Sequence, residues 1–155
     1  MKRFLLIAIL GFSACAHAPT LADMIKAGKY DYVEPHIDTK CLSVKPERFT
    51  SANADVIVFE QDMDSEQVSH VLDQVQLRPA TIEELLAYGA AHPDVQRHYS
   101  VFALGSSCAD DRGRGGYDVP YLGGAEEGRA LLLYWVTPDP HQIWGGGTHF
   151  LVTPK

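Results

Sequence analysis

The chain is short of cations, of cysteines and of long apolar runs, and each shortage removes a class of function. Thirteen Lys and Arg stand against 20 Asp and Glu, a formal charge of −7 over 155 residues. A nucleic-acid interface needs concentrated Lys and Arg to displace the counterions of the phosphates. The one basic stretch, Arg112-Gly113-Arg114-Gly115-Gly116, lies beside Asp110 and Asp111, so nucleic acid is not an expected partner. The leading apolar run, residues 4–12, falls well short of the ~18–20 residues of a membrane-spanning helix, and no later stretch comes close. Three cysteines are too few for a disulfide-dense miniature, and about 140 residues are enough for one domain with an ordinary core.

Chemical motifs are missing as well. The closest histidine pairs, His92 with His98 and His141 with His149, lack the spacing of a helical zinc site, and no Cys and His cluster has structural-zinc spacing. The segment from Asp110 to Asp118 has carboxylates and flexible glycines but no closing bidentate Glu of an EF-hand. Gly105-Ser106-Ser107-Cys108 is not the strained G-x-S-x-G elbow, and nothing fixes a partner His and acid for Cys108, Ser106 or Ser107. The glycine-rich stretches carry neither a Walker lysine nor a dinucleotide fingerprint. No catalytic residue, metal or cofactor is expected.

What is present begins with export. Lys2 and Arg3 precede the apolar run, and small residues follow at Ser13-Ala14, the three regions of a secretory signal. Residues 1–14 read as a signal peptide and 15–155 as a single domain. Phe12-Ser13-Ala14-Cys15 resembles a lipobox, which would place a lipid on Cys15. Ala14-Cys15-Ala16 and Ala16-His17-Ala18 compete as ordinary cleavage sites, the second with an unfavourable Pro19 after the cut. The protein is expected in the periplasm or outer membrane as a lipoprotein, or secreted. A lipid on Cys15 leaves Cys41 and Cys108 as an even pair. A bridge between them would close a loop of about 67 residues, for which chain entropy gives about 4 kcal/mol; the alternative is two buried thiols.

Thr20 reads as the cap of a short helix that ends at Gly28 by a left-handed exit. A short strand is expected near residues 30–33, and a buried strand over 55–60, where β-branched and aromatic residues cluster. Asp64 caps a second helix with Val68, Val71, Leu72 and Val75 on its apolar face. Thr81-Ile82-Glu83-Glu84 is a capping box opening a third, which His92-Pro93 ends. Strands follow at 99–104, 119–122, 129–136 and 148–152. The third of these, apolar on both faces, reads as central and covered. The fold class is therefore α+β, with N-terminal helices packed on a largely antiparallel sheet formed mainly by the C-terminal half.

From Leu77-Arg78-Pro79-Ala80-Thr81-Ile82-Glu83-Glu84-Leu85-Leu86-Ala87-Tyr88-Gly89, through Pro93, Gln96, residues 101–106, Val119-Pro120-Tyr121-Leu122, Trp135 and Trp144, to Phe150-Leu151-Val152, the chain resembles a family of small uncharacterised bacterial proteins. That family supplies no function. More loosely, the arrangement resembles the C-type-lectin-like ligand-binding tails diversified by bacterial retroelements, although no lectin calcium motif is present. This second likeness implies a binding surface on loops carried by a rigid sheet.

Among Tyr117, Tyr121, Tyr134, Trp135, Trp144 and Phe150, core positions are expected above all for Trp135 and Phe150. Trp144 lies before three glycines and near Pro138, Pro140 and His141, and is expected to be exposed. The sequence points to a non-enzymatic binding or interaction module whose ligand face is loops 105–118 and 137–147. Tyr117, Trp144, His141, Arg112 and Arg114 are the contact residues, and the partner is a protein or carbohydrate outside the cytoplasm. The alternatives are an envelope hydrolase with a Cys or Ser nucleophile, and an inhibitor or accessory partner of a secreted enzyme.

Overall fold

A computed structural model describes residues 18–38, 42, 53–125, 128–137 and 142–155. The signal segment, Cys15, Cys41 and His141 lie outside the described residues. The fold is α+β, with three helices and a mixed sheet of eight strands to which the C-terminal half contributes most.

The helices start where their caps place them. Thr20 accepts from the Asp23 amide and the Asp23 carboxylate accepts from the Thr20 amide, opening α1 (Leu21–Gly28). Asp64 and Gln67 make the same reciprocal pair at α2 (Ser65–Gln74). At α3 (Ile82–Ala91) the Glu84 carboxylate accepts from the Thr81 amide, while the Ile82 amide donates to Ser106 Oγ. The exit of α1 differs from expectation: Lys29, at φ 50°, makes the left-handed turn. Gly28 is small for another reason, since a Cβ there would lie 2.2 Å from the Tyr30 ring.

The strands are β1 (Tyr32–Val33), β2 (Asp55–Val58), β3 (Leu77–Pro79), β4 (Val101–Phe102), β5 (Cys108–Ala109), β6 (Tyr117–Ala125), β7 (Gly128–Val136) and β8 (His149–Pro154). Their order is β1-β7-β6-β4-β8-β2, with β3 on β8 and β5 on β6. The β1–β7 and β4–β8 pairs are parallel and the other five antiparallel. Two expectations need correction. β2 is not a buried strand: it ends the order, and Asp55 and Val58 are exposed. Nor is β7 central, because its outer neighbour β1 spans only two residues and leaves Tyr134 exposed.

Each face of the sheet carries its own core. α1 and α3 cover one, where Leu85, Leu86, Val101, Leu122, Leu131 and Leu151 are buried. α2 covers part of the other, with Val68 and Leu72 against Val119, Val136, Phe150 and Val152. Two polar devices tie the helices down. Arg78 of β3 clamps Glu84 of α3 through two hydrogen bonds, of 2.7 and 2.9 Å. Burial pushes the Glu84 carboxyl up, but the bonds from Arg78 and Thr81 outweigh it and hold the group below its ordinary value.

The second device centres on Arg129 of β7. Its guanidinium donates to the Gly89 carbonyl at 2.6 Å, to Gln96 Oε1 at 2.9 Å and to the Gly28 carbonyl, and lies 5.2 Å from the centre of the Tyr30 ring. Gln96 in turn donates to the carbonyls of Gly123 and Ala130. Tyr30 sits between the helices only because Gly28 and Gly89 both lack a side chain. Its hydroxyl has no hydrogen-bond partner among the described residues, and burial, partly opposed by Arg129, pushes its pKa up to about 12.

Arg129→Met should cost about 3 kcal/mol in urea denaturation, because it leaves the carbonyls of two helices without their donor. Tyr30→Phe should change stability at pH 7 by less than about 1 kcal/mol, since no bond is lost. Between pH 10 and 12 the folded protein holds a proton that the unfolded chain releases, so wild-type stability should fall as pH rises through that window. The Phe variant should show a shallower slope, the remainder coming from Tyr88 and Tyr121, whose pKa values burial also raises.

Candidate functional site

The register of the long hairpin sets which side chains share a face. Val119 pairs Tyr134, Tyr121 pairs Leu132 and Gly123 pairs Ala130, and all six point to the face that α2 covers in part. On the neighbouring strands Phe102 pairs Tyr121 and Tyr32 pairs Ala130, which adds them to the same face. Glu34 continues the β1 ladder by donating its amide to the Leu131 carbonyl, two residues beyond Tyr32. α2 does not reach this end of the sheet. Tyr32 is 50% exposed and Tyr134 38%, with Phe102, Tyr121 and Leu132 half-buried.

The rings make a continuous array. Phe102 and Tyr121 stack at 4.7 Å, and Tyr134 meets Phe102 edge-on at 5.6 Å. Trp144 contacts Phe102 at 5.2 Å, Tyr134 at 5.2 Å and Phe150 at 5.5 Å, so the array runs from the core to the surface. Offset and edge-on packing of this kind fixes ring orientation as well as burying area. Burial raises the Tyr121 pKa, and the charge of Glu34 adds to the rise.

A shallow cleft of about 380 Å³ adjoins the array where β4 begins. Before Val101 no strand fills the space between β6 and β8, and Tyr99, Ser100, Phe102, Thr148 and His149 line the opening with Gly145, Gly146 and Gly147. Tyr99 stacks on His149 at 3.9 Å, and Gly147, at φ 91°, makes a turn that disfavours a larger residue. Hydroxyls, an imidazole and aromatic walls suit non-covalent capture of a ligand.

The residues expected at the site fare differently. Trp144 is not an exposed loop aromatic: it is 5% exposed, its indole donates to Ser65 Oγ at 2.8 Å, and its backbone pairs with Met63. The glycines that follow it belong to a turn under which the ring folds inward. Tyr117 is half-buried, with its hydroxyl on the same Ser65 oxygen. Arg112 and Arg114 both close on Asp110, Arg112 also bonds Asp118, and the Arg114 guanidinium lies 4.8 Å from the Trp135 ring centre. Trp135, expected in the core, is half-buried under that loop and donates to the Gly115 carbonyl; Phe150 is in the core. The bonds from Arg114 and Arg112 hold the Asp110 carboxyl well below the usual carboxylate range. Loop 110–116 is thus an ionic clasp in which Asp110 and Asp118 engage both of its arginines.

Of the nucleophile candidates, Ser106 Oγ accepts from the Ile82 amide at the start of α3, and Cys108 lies in β5, paired with Asp118 of β6. Among the described residues no three His, Cys, Asp or Glu side chains are grouped to hold a metal ion, and no helix is long and apolar enough to cross a membrane. Sequence reasoning overlooked Tyr32, Glu34, Tyr99, Phe102 and His149 as site residues. The available signal was the alternation of Tyr117, Tyr121 and Gly123 against Leu132 and Tyr134, which places them on one face of paired strands.

The fold and this face together define an α+β domain with an aromatic sheet surface open to solvent. No family profile, curated protein or solved structure matches the chain.

Trp144→Ala should behave as a core truncation and cost about 3–5 kcal/mol in chemical denaturation. A loss below about 1 kcal/mol would show that the ring does not hold the loop to α2.

Proposed function

We propose that the protein is an exported, non-enzymatic binding module, carried out of the cytoplasm by residues 1–14 and placed in the periplasm, on the outer membrane or in the medium. Its ligand is a protein or carbohydrate of that compartment, held on the aromatic face of the sheet and the adjoining cleft, to which loop 137–147 contributes only Gly145, Gly146 and Gly147 among the described residues, and not on loop 105–118. One observation carries this reading: Phe102, Tyr121 and Tyr134 form an ordered array that α2 leaves uncovered. Rigid aromatics with few rotatable bonds give large contact area at low entropic cost, the composition of binding hot spots.

The same proposal includes a lipid on Cys15 and a bridge from Cys108 to Cys41. Kinship with the small uncharacterised bacterial proteins belongs to it too, and supplies no activity. The Ser106 hydroxyl caps α3, which argues against its use as a hydrolase nucleophile.

Retention of the mature protein on a panel of defined oligosaccharides and peptides tests the face. Tyr121→Ala with Tyr134→Ala should reduce retention at least about tenfold while the far-ultraviolet spectrum stays unchanged. Arg112→Ala with Arg114→Ala should leave retention unchanged. The reverse result would return the function to the loops.

A further inference from the structure

We infer that the outer end of the aromatic face is a receptor for an ammonium group, and that the ligand it fits is an exposed lysine side chain of a protein partner. The inference rests on the proposed binding role of this face and names the chemistry that the face selects.

Glu34 lies two residues beyond Tyr32, where β1 continues along the edge of the aromatic face. The Tyr32 hydroxyl lies 3.5 Å from its Oε2, and its charge reaches the half-buried Tyr121, which neighbours Tyr134. His36 Nδ1 lies 3.1 Å from Oε1, whereas the long contact from Tyr32 leaves Oε2 with room for a stronger donor. The carboxylate is 23% exposed, open enough to meet a ligand and sheltered enough for the meeting to be worth more than a surface ion pair. Tyr32 and Tyr134, both exposed on the same face, offer π surface to a cation, which gains further when partly desolvated.

The charge around the face agrees. The described arginines have partners elsewhere: Arg78 on Glu84, Arg97 on Asp94, Arg112 and Arg114 on Asp110, and Arg129 among the helices. None of them neutralises Glu34, and the chain as a whole carries −7. Among the described residues the ion-pair partner of Glu34 is His36, charged only when protonated, so an anionic ligand would be repelled here and a neutral sugar would desolvate the carboxylate without adding a counter-charge. A lysine satisfies both the carboxylate and the rings, and its four-carbon stem can lie along Leu132 and Tyr134.

The test uses short blocked peptides carrying one lysine, one trimethyl-lysine or one acetyl-lysine, titrated into isotope-labelled mature protein and followed by amide shifts. The lysine and trimethyl-lysine peptides should give saturable shifts at residues 32–34, 121 and 132–134. The acetyl-lysine peptide should not. Glu34→Gln should weaken both cationic peptides at least about tenfold with an otherwise unchanged spectrum. Tyr134→Leu provides a second variant, expected to weaken trimethyl-lysine more than lysine. Shifts confined to other acidic surfaces, equal affinity for acetyl-lysine, or indifference to Glu34→Gln would overturn the inference. If chitotriose moves the same amides and the cationic peptides do not, the ammonium receptor is wrong while the aromatic face stands as the binding surface. If no probe moves them, both fail.

Discussion

The guanidinium of Arg129 is the point on which the domain is assembled. It comes from an outer strand, yet it accounts for the C-terminal carbonyl of α1, a carbonyl in the last turn of α3 and the amide oxygen of Gln96. A planar group with five donors in a fixed fork suits such a junction, where a lysine could not reach three acceptors in three directions. Gln96 relays the connection to the carbonyls of Gly123 and Ala130, so one side chain couples the helical layer to both strands of the long hairpin. Gly28 and Gly89 follow as a consequence, since the Tyr30 ring that faces the guanidinium needs their missing side chains.

Because that junction secures α1 and α3 to one face, α2 is the one helix among the described residues that covers the other. Ten residues of helix shelter the end of the sheet near Val119, Phe150 and Val152 and stop there. Trp144 marks the border: one side of its ring packs on Phe150, and the other side meets Phe102 and Tyr134. The exposed rings are therefore the outer continuation of the core, oriented by it, and not isolated surface aromatics. That is the physical basis for reading them as a prepared contact surface, since orientation is already fixed before any ligand arrives.

Much of the fold is legible in the sequence because its signals are local. The caps at Thr20, Asp64 and Thr81 mark helix starts within a residue, and the long strands β6, β7 and β8 announce themselves by composition. The errors arise where distant residues decide. β3 is three residues ending in Pro79 and exists because β8 offers it an edge. β4 is two residues instead of six, and its parallel neighbour β8 begins only at His149, the partner of Val101. The site was read on glycine-rich loops because glycine, charge and aromatics coincide there. Ser65 draws Trp144 inward from 79 residues away, and Asp110 with Asp118 absorbs both arginines. Only the pairing of β6 with β7 reveals that Tyr121 and Tyr134 share a surface with Tyr32 from the opposite end of the chain.

The position of β8 has a consequence for how the chain reaches its native state. Residues 149–154 lie inside the sheet, between β4 on one side and β2 on the other, and β3 pairs with them as well. Strands β2, β3 and β4 have no complete sheet to join until that last segment is available. The N-terminal half therefore remains without its partner strand while the chain is being made, and its contacts are dominated by long sequence separations that close slowly. A chain built this way can form its capped helices and the β6–β7 hairpin early, but it closes the sheet around β2, β3 and β4 only when residues 149–154 are in place.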